Sequence, residues 1–484
     1  MAEVVILGAG VSGHTAALHL RRLLGREHKI TVVSPNSQWN WIPSNIWVGV
    51  GEMAKQDVIF PLAPVYARKH IGFRQAKAVA IRPKGDRDDS RGAVDIEYTS
   101  PDASGSTERL RYDYLINATG PRLRFEATEG MGPGGYTESV CTADHAVEAN
   151  ARLREVIEVL KTGKPQTLVV GMGHGTCTCE GAAFEYVFNV DHELREAGVR
   201  DLARVVYLTN EAALGDFGVD GMVFDQQGFQ TTSELWTGSL FRERGVEAIL
   251  GAHVGKVEER TIHYETLDGT THSLEFDFAM LIPPFGGVPL KAYDADDNDI
   301  TSELFAPSGF MKVDADYTAK PYEEWRAEDW PTTYAAPGYD NIWAAGIAFA
   351  PPHQISRPRK TPNGTVIAPS PPRTGMPSGV MGKTVALTIA DRIRRGPSAA
   401  PHTASMARMG AACVASAGTG LTRGSAAAMT MLPVVPDYQR FATGRDERET
   451  RGELGLHGHW VKLMLHYLFL YKAKAHLGWQ FIPE

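Results

Sequence analysis

Cysteine is scarce in this sequence, with four residues in a chain of 484. So few cannot cross-link a secreted disulfide scaffold of this length, and each thiol has to be weighed as a reagent in its own right. Long apolar runs are also missing: no stretch of 18 or more apolar residues occurs, which argues against a membrane-spanning helix. Excess positive charge is absent, with 49 Lys and Arg against 57 Asp and Glu for a net −8, which argues against nucleic acid as a partner. A targeting segment is lacking too. Val4 to Leu7 is too short for a signal-peptide apolar core and runs straight into Gly8, so the expectation is cytoplasmic synthesis without a signal peptide. What remains is an ordinary globular composition, 43% hydrophobic, at a length that predicts about three modules.

The first module opens with a strand at Val4 to Leu7, the turn Gly8-Ala9-Gly10-Val11-Ser12-Gly13, a helix to Arg22 and a strand at Ile30 to Val33. Gly8, Gly10 and Gly13 between strand and helix predict a dinucleotide cradle in which a pyrophosphate sits on the helix N-terminal amides. Ser34 stands where an acidic residue would grip the ribose, and a hydroxyl bonds it less strongly. A second unit begins at Gln166: a strand, Gly171-Met172-Gly173-His174-Gly175-Thr176, a long helix through Leu194 and a strand to Leu208. Thr176 replaces its third glycine, and Cys177 and Cys179 are expected in the first helical turn. This loop predicts thiol chemistry in place of a nicotinamide nucleotide.

Strands at Tyr112 to Thr119 and Asn341 to Ala345 end at Gly120 and Gly346, as two interleaved nucleotide-binding domains would require. The fold class expected is α/β, with two interleaved Rossmann-like domains plus a C-terminal amphipathic region. The divisions are 1–140 and 300–395 for the two parts of the FAD-binding domain, 141–299 for the cysteine-bearing degenerate domain, and 396–484 for the C-terminal region. Residues 83–108 read as an exposed hairpin, and 351–377, with eight prolines, as an ordered crossover before a helix at 378–394. By composition 398–428 is a linker, although Cys413 within it argues otherwise. The last 34 residues carry a local +2, six aromatics from Trp460 to Phe481, and His459, Lys462 and His466 on one helix face. That pattern predicts an interfacial helix with its cationic heads toward a lipid surface; docking on the core or on a partner subunit is the alternative.

Together these features resemble the sulfide:quinone oxidoreductase family over nearly the whole chain. The resemblance is carried by Pro43-Ser44-Asn45-Ile46-Trp47-Val48, Cys141-Thr142-Ala143-Asp144-His145, Cys179-Glu180-Gly181-Ala182-Ala183-Phe184-Glu185, Pro372-Arg373-Thr374-Gly375 and Cys413. It implies FAD contacts at Gly8, Gly10, Gly13, Ser34, Asn45, Thr119, Gly120, Gly346, Thr374 and Gly375. It implies a redox pair of Cys179 and Cys413, with the Cys179 thiolate favoured by the helix dipole. Glu185 and His145 become candidates for proton handling, and Cys141 for either polysulfide release or a covalent flavin tether. Cys177 is left as an inert extra. Lys462 and Leu465 fall at the quinone site, and Asp216 stands where better-known members carry His. The implied partners are sulfide, a quinone and a membrane surface met by residues 451–484 as a peripheral, monotopic protein; a homo-oligomer is left open. The competing readings are a type II NADH:quinone oxidoreductase, which needs an intact second glycine motif and no cysteine pair, an exported flavocytochrome-type sulfide dehydrogenase, and a flavin-based redox sensor.

Overall fold

In the computed structural model, which describes residues 1–226, 228–418 and 420–484, the chain opens with β1 (Glu3–Leu7), α1 (Val11–Leu23) and β2 (Lys29–Ser34). Val4 to Leu7 and Ile30 to Ser34 are buried on both faces, the continuous apolar pattern of central parallel strands. A short helix, α2 (Asn45–Val50), follows, then β3 (Gly72–Arg82), β4 (Ala93–Tyr98), β5 (Thr107–Arg111) and β6 (Tyr114–Asn117). β1 pairs in parallel with β2 and β6, Val4 lying opposite Ile30 and Tyr114. β2 pairs with β3, and β4 and β5 extend the sheet antiparallel. The expected exposed hairpin at 83–108 is therefore corrected: β4 lies inside it, and Ala93, Val94 and Ile96 are fully buried.

Helix α3 (Ala143–Lys161) leads to the second sheet, β7 (Gln166–Met172), α4 (Glu180–Glu196), β8 (Ala203–Leu208), β9 (Val246–Ile249) and β10 (Phe278–Ile282). These strands are parallel in the order β9-β8-β7-β10. The chain then returns to the first sheet through β11 (Ile342–Ala344), which pairs with β6, and enters α5 (Gly375–Arg395), packed along α1. The polypeptide thus visits the first sheet, the second, and the first again.

The C-terminal region holds β12 (Ala411–Ala417), β13 (Ser425–Met431), β14 (Arg451–Leu454) and α6 (Leu456–Ala473). β12 and β13 are antiparallel with Cys413 opposite Met429, so the stretch read as a linker is largely a hairpin. Its small Ala and Ser side chains let β12 lie against α4 and let α6 cross both strands. Composition suggested flexibility where the low side-chain volume serves close packing.

α6 reverses another expectation. His459, Lys462 and His466 face inward, at 0%, 7% and 2% exposure, whereas Trp460, Met464, Tyr467 and Tyr471 face out at 42–63%. The cationic heads do not snorkel to a surface; the polar stripe is buried and the aromatic stripe is open. Among the described residues no helix is long and apolar enough to cross a membrane.

Candidate functional site

The first cradle is set by backbone geometry. Gly8 has φ +98°, and a side chain there would run into the carbonyl of Ala118 at the end of β6. Gly13 packs on the Gly8 carbonyl, whereas a Cβ at Gly10 meets no protein atom within 4 Å. α1 starts at Gly10 with no side-chain cap and no acidic residue in its first turn. The N-terminus of α5 lies beside it, close enough that a Cβ on Gly382 would strike the Ser12 carbonyl. Gly346 fits against Ser12 and Ser378, and Gly375 faces open space. The hydroxyls of Ser12 and Thr374 are buried without a hydrogen-bond partner among the described residues. Two positive helix ends, two unfilled hydroxyls and glycine openings fit a dinucleotide diphosphate.

The other proposed contacts divide. Thr119 Oγ1 donates to Asn117 Oδ1 at 2.8 Å, next to Gly120, and Ser34 Oγ accepts the Asn36 N–H at 3.3 Å at the end of β2. Asn45 is fully buried and already engaged, its amide paired with Asn40 and donating to the Val140 carbonyl at 3.2 Å. It holds the segment leading to Cys141.

The second loop is filled by the protein itself. A Cβ at Gly173 would overlap the Met131 sulfur, and one at Gly175 would press on the Val366 carbonyl and the His253 ring. The proline-rich crossover straps across it, with the N–H groups of Ala368 and Ser370 donating to the carbonyls of Gly175 and Cys177 at 2.8 Å each. Cys177 is fully buried and its thiol donates to the Ile282 carbonyl at 3.1 Å. It precedes the helix, as does Cys179, which forms the N-cap of α4 rather than part of its first turn. Cys179 has φ +73°, ψ +37°, a left-handed conformation that costs a non-glycine residue on the order of 1–2 kcal/mol.

Cys179, Cys413 and Cys141 are free, half-buried thiols. Cys413 lies on β12 directly against Gly181, in the first turn of α4, where any side chain would overlap its sulfur. Cys179 lies within electrostatic range of Cys413 and of Cys141, and the backbone N–H of Arg373, one residue before Thr374, approaches its sulfur. Cys179 therefore stands near the N-terminus of α5, beside the first cradle. Burial pushes Cys179 and Cys413 up to about 12 and Cys141 up to about 11. Burial and the neighbouring Glu180 thus raise the Cys179 thiol, against the direction expected of the helix dipole.

Glu185 is brought to the pair. It is buried one turn along α4, acts electrostatically on Cys413, and accepts the Lys462 ammonium at 2.9 Å, both side chains under 10% exposed. Its pKa is raised by burial, with Lys462 opposing. Lys462 is thus already paired, its Nζ 5.8 Å from the centre of the Trp47 ring, and Leu465 is half-buried beside it on α6. His145 is not brought to the sulfurs by any described contact. Its N–H is held by Thr142, its ring meets Phe125 at 5.9 Å, and burial lowers its pKa.

Trp47 and Ser416 were not singled out from the sequence. The Ser416 carbonyl accepts from Trp47 Nε1 at 3.0 Å and Asn189 Nδ2 at 2.8 Å, and its hydroxyl bonds His459 Nδ1 at 2.6 Å. Ser44 bonds His466 at 2.9 Å. The Pro43 to Val48 string is therefore the seat of α6, a role visible only once both ends of the chain are in place.

Comparison with known proteins accords with this geometry. The family model for pyridine nucleotide-disulphide oxidoreductases matches residues 2–289. The sulfide-quinone reductase of Aquifex aeolicus is 29% identical over 474 residues, 98% of this chain and 91% of its own. The X-ray structure of the Aquifex aeolicus sulfide:quinone oxidoreductase aligns with TM-score 0.74 at 26% identity, covering 98% of this chain and 92% of that one. An NDH2 from Plasmodium falciparum in complex with NADH aligns with TM-score 0.63 at 12% identity over 98% and 96% of the two chains, a likeness of fold alone. Matched over more than half its length, with the glycine cradle in place, the chain belongs to the pyridine nucleotide-disulphide oxidoreductase family.

Proposed function

We propose that this chain is an FAD-dependent sulfide:quinone oxidoreductase that oxidises sulfide to sulfane sulfur or polysulfide and reduces a membrane quinone. One observation carries the reading. The second nucleotide loop is occupied by Met131, His253 and Val366, and Cys413, packed on Gly181 of α4, lies within electrostatic range of Cys179 at the start of that helix. Gly8, Gly10, Gly13, Gly346, Thr374 and Gly375 would hold FAD, with Thr119 and Ser34 at its edges. The flavin supplies a two-electron acceptor for sulfur and a donor for quinone.

In the oxidised enzyme Cys179 and Cys413 form a disulfide. Hydrosulfide attacks the Cys413 sulfur, a new S–S bond forms there, and the Cys179 bond breaks to leave a thiolate. Burial makes that thiolate a high-energy species, with the Arg373 N–H opposing, so its electron pair leaves readily. Glu185 takes the proton carried by the incoming sulfur at Cys413, and Lys462 stabilises the carboxylate that receives it. Cys141, within range of the pair, either passes sulfur on or tethers the flavin. Lys462 retains ammonium donors beyond the one given to Glu185, and with Leu465 lines the approach for a quinone carbonyl. The outward aromatic face of α6, continued by Leu477 and Phe481 at 95% and 82% exposure, lies on the lipid surface that supplies the quinone.

The test is anaerobic addition of sulfide to the yellow holoprotein, then of a short-chain quinone. Sulfide is expected to bleach the flavin and quinone to restore it. A flavin that stays yellow removes the proposal, and bleached flavin that quinone cannot reoxidise points to the sensor.

A further inference from the structure

The far end of α4 carries side chains that the sulfur chemistry does not use. Glu185, Asn189, His192 and Glu193 stand at i, i+4, i+7 and i+8 along this helix, so they share one stripe. The first two are engaged, Glu185 by the Lys462 ammonium and Asn189 by the Ser416 carbonyl. His192 and Glu193 meet Glu52, which follows α2. Gly51 ends that helix at φ +84°, and the N–H groups of Gly51 and Glu52 donate back to the Val48 and Trp47 carbonyls at 3.1 and 2.8 Å, a left-handed stop that fixes where Glu52 leaves the helix. Glu52, His192 and Glu193 each offer one donor atom, and the three atoms all lie within 4.8 Å of one another.

The Glu193 carboxylate adds an independent observation. The residue is 6% exposed, its Oε2 accepts the Arg154 guanidinium at 2.6 Å, and its Oε1 is buried without a hydrogen-bond donor among the described residues. Arg154 is also held by the Val50 carbonyl, which ties it to the end of α2. The Glu52 carboxyl comes within hydrogen-bonding reach of the Glu193 carboxyl, and two carboxylates offer each other only acceptors. The pair therefore calls for a positive centre between its oxygens. A shared proton would answer for the two carboxyls but gives no reason for an imidazole as third electron-pair donor.

We propose that Glu52, His192 and Glu193 bind a divalent cation of the zinc class that clips the end of α2 to α4. One imidazole with two carboxylates suits zinc or a neighbouring first-row ion, whereas magnesium and calcium prefer all-oxygen shells. Donors about 2.1 Å from a tetrahedral zinc stand roughly 3.4 Å apart, so the three must close by roughly 1 Å, a shift within reach of side-chain torsions. Glu52 and His192 are half-buried, which leaves the fourth position to water. His459 faces Glu52 and His192 from α6, but its two ring nitrogens are taken by the Ser416 hydroxyl and the Gly420 carbonyl, so it is a neighbour and not a ligand. At about 1.5 Å per residue His192 lies roughly 20 Å along α4 from Cys179. The cation is thus remote from the thiols, and it fastens the helix that seats α6.

The site stands apart from the sulfur chemistry, and its test uses no sulfide. Chelator-treated holoprotein is titrated with zinc by calorimetry in the Cys141→Ser/Cys179→Ser/Cys413→Ser background, which removes the thiols that would also take zinc. One zinc per chain is expected. Adding His192→Ala or Glu52→Gln should weaken binding by more than about 100-fold, beyond what changes behind a metal's ligands cost, with FAD content unchanged. Excess zinc should raise the melting midpoint of the parent and leave that of its His192→Ala derivative in place. Zinc-edge X-ray absorption should show one imidazole with oxygen donors, and equimolar calcium or magnesium should not displace the zinc. If the cysteine-free background does not hold FAD, wild-type holoprotein titrated with manganese, a hard ion that avoids thiols, gives the same decision through its free-ion resonance. No uptake, or uptake that survives both His192→Ala and Glu52→Gln, overturns the site and leaves Glu52 and Glu193 sharing a proton.

Discussion

Lys462→Met is the sharpest probe of how the C-terminal helix is joined to the sulfur site. The Lys462–Glu185 pair spans 2.9 Å with both side chains under 10% exposed, and among the described residues the Glu185 carboxylate has one further hydrogen bond, from the Ser416 N–H at 3.3 Å. Removing one partner of such a pair strands a buried charge, at about 3–5 kcal/mol. Unfolding entropy near 2 cal/mol/K per residue gives roughly 1 kcal/mol/K for 484 residues, so the melting temperature should fall by about 3–5 °C at pH 8. The pH dependence follows from the sign of the shift. Burial already raises the Glu185 pKa and losing Lys462 raises it further, so the penalty is full above the folded value. It fades as pH falls toward the ordinary carboxylate value of 4.5, below which the carboxyl is neutral folded or unfolded. The deficit against wild type should therefore be small at pH 4.5. Glu185→Gln/Lys462→Met, which leaves no stranded charge, should melt within about 1–2 °C of Glu185→Gln. Thermal scans of the four proteins at both pH values decide it: an equal deficit at pH 8 and pH 4.5, or a double variant worse than both singles, refutes the buried-pair account.

Three further outcomes follow from the site. Gly10→Val should fold normally, since its side chain enters open space, but bind FAD at least tenfold more weakly; Gly8→Ala, forced to φ +98° against Ala118, should lose stability as well, and flavin content with melting curves separates the two. Cys413→Ala should retain FAD and lose sulfide turnover, and in Cys141→Ala the flavin should be fully released by acid precipitation if Cys141 is the tether. Tyr467→Lys together with Tyr471→Lys, on the exposed stripe of α6, should leave sulfide bleaching intact and weaken vesicle co-sedimentation by tenfold or more, at about 1–2 kcal/mol for each ring withdrawn from the lipid. Unchanged sedimentation would place this face against something other than lipid.

Much of the first cradle was legible in the sequence because its signals are local: Gly8, Gly10 and Gly13 act within one strand-turn-helix, and the buried strands read as unbroken apolar runs. The packing of Cys413 on α4 was legible only through resemblance, since nothing in an Ala- and Ser-rich stretch announces a strand packed against a helix some 230 positions earlier. The upward shift of the thiols was not legible, for a physical reason. A dipole can be inferred from a helix start, but desolvation depends on what the rest of the chain places around it, and here it wins. Glu180 escaped notice because a charged residue after a cysteine reads as solvent-facing until its burial is seen.

The orientation of α6 follows from the same competition. A helix with three cationic or imidazole groups on one face and aromatics on the other has two ways to satisfy both faces. Outward cations would suit a lipid headgroup layer, but they would leave the Glu185 carboxylate without its counter-ion and the Ser44 and Ser416 hydroxyls without their imidazole partners. Inward cations satisfy all three: Lys462 on Glu185, His466 on Ser44 and His459 on Ser416. The end of the chain holds the helix there, with Glu484 bonded to Lys472 at 2.7 Å and to His19 of α1 at 2.8 Å, and the Ala473 carbonyl bonded to His14 at 2.7 Å. One helix therefore presents apolar aromatics to the outside while its inner face supplies the counter-ion of the carboxyl beside Cys413. A change that lifts α6 from the core must break Lys462 from Glu185 and admit water to that carboxyl, which removes both the burial that raises its pKa and the ammonium that opposes it. Disturbing the exposed aromatic face should then register first as an altered pH profile of sulfide oxidation, before any loss of flavin from a cradle that lies on α1 and α5.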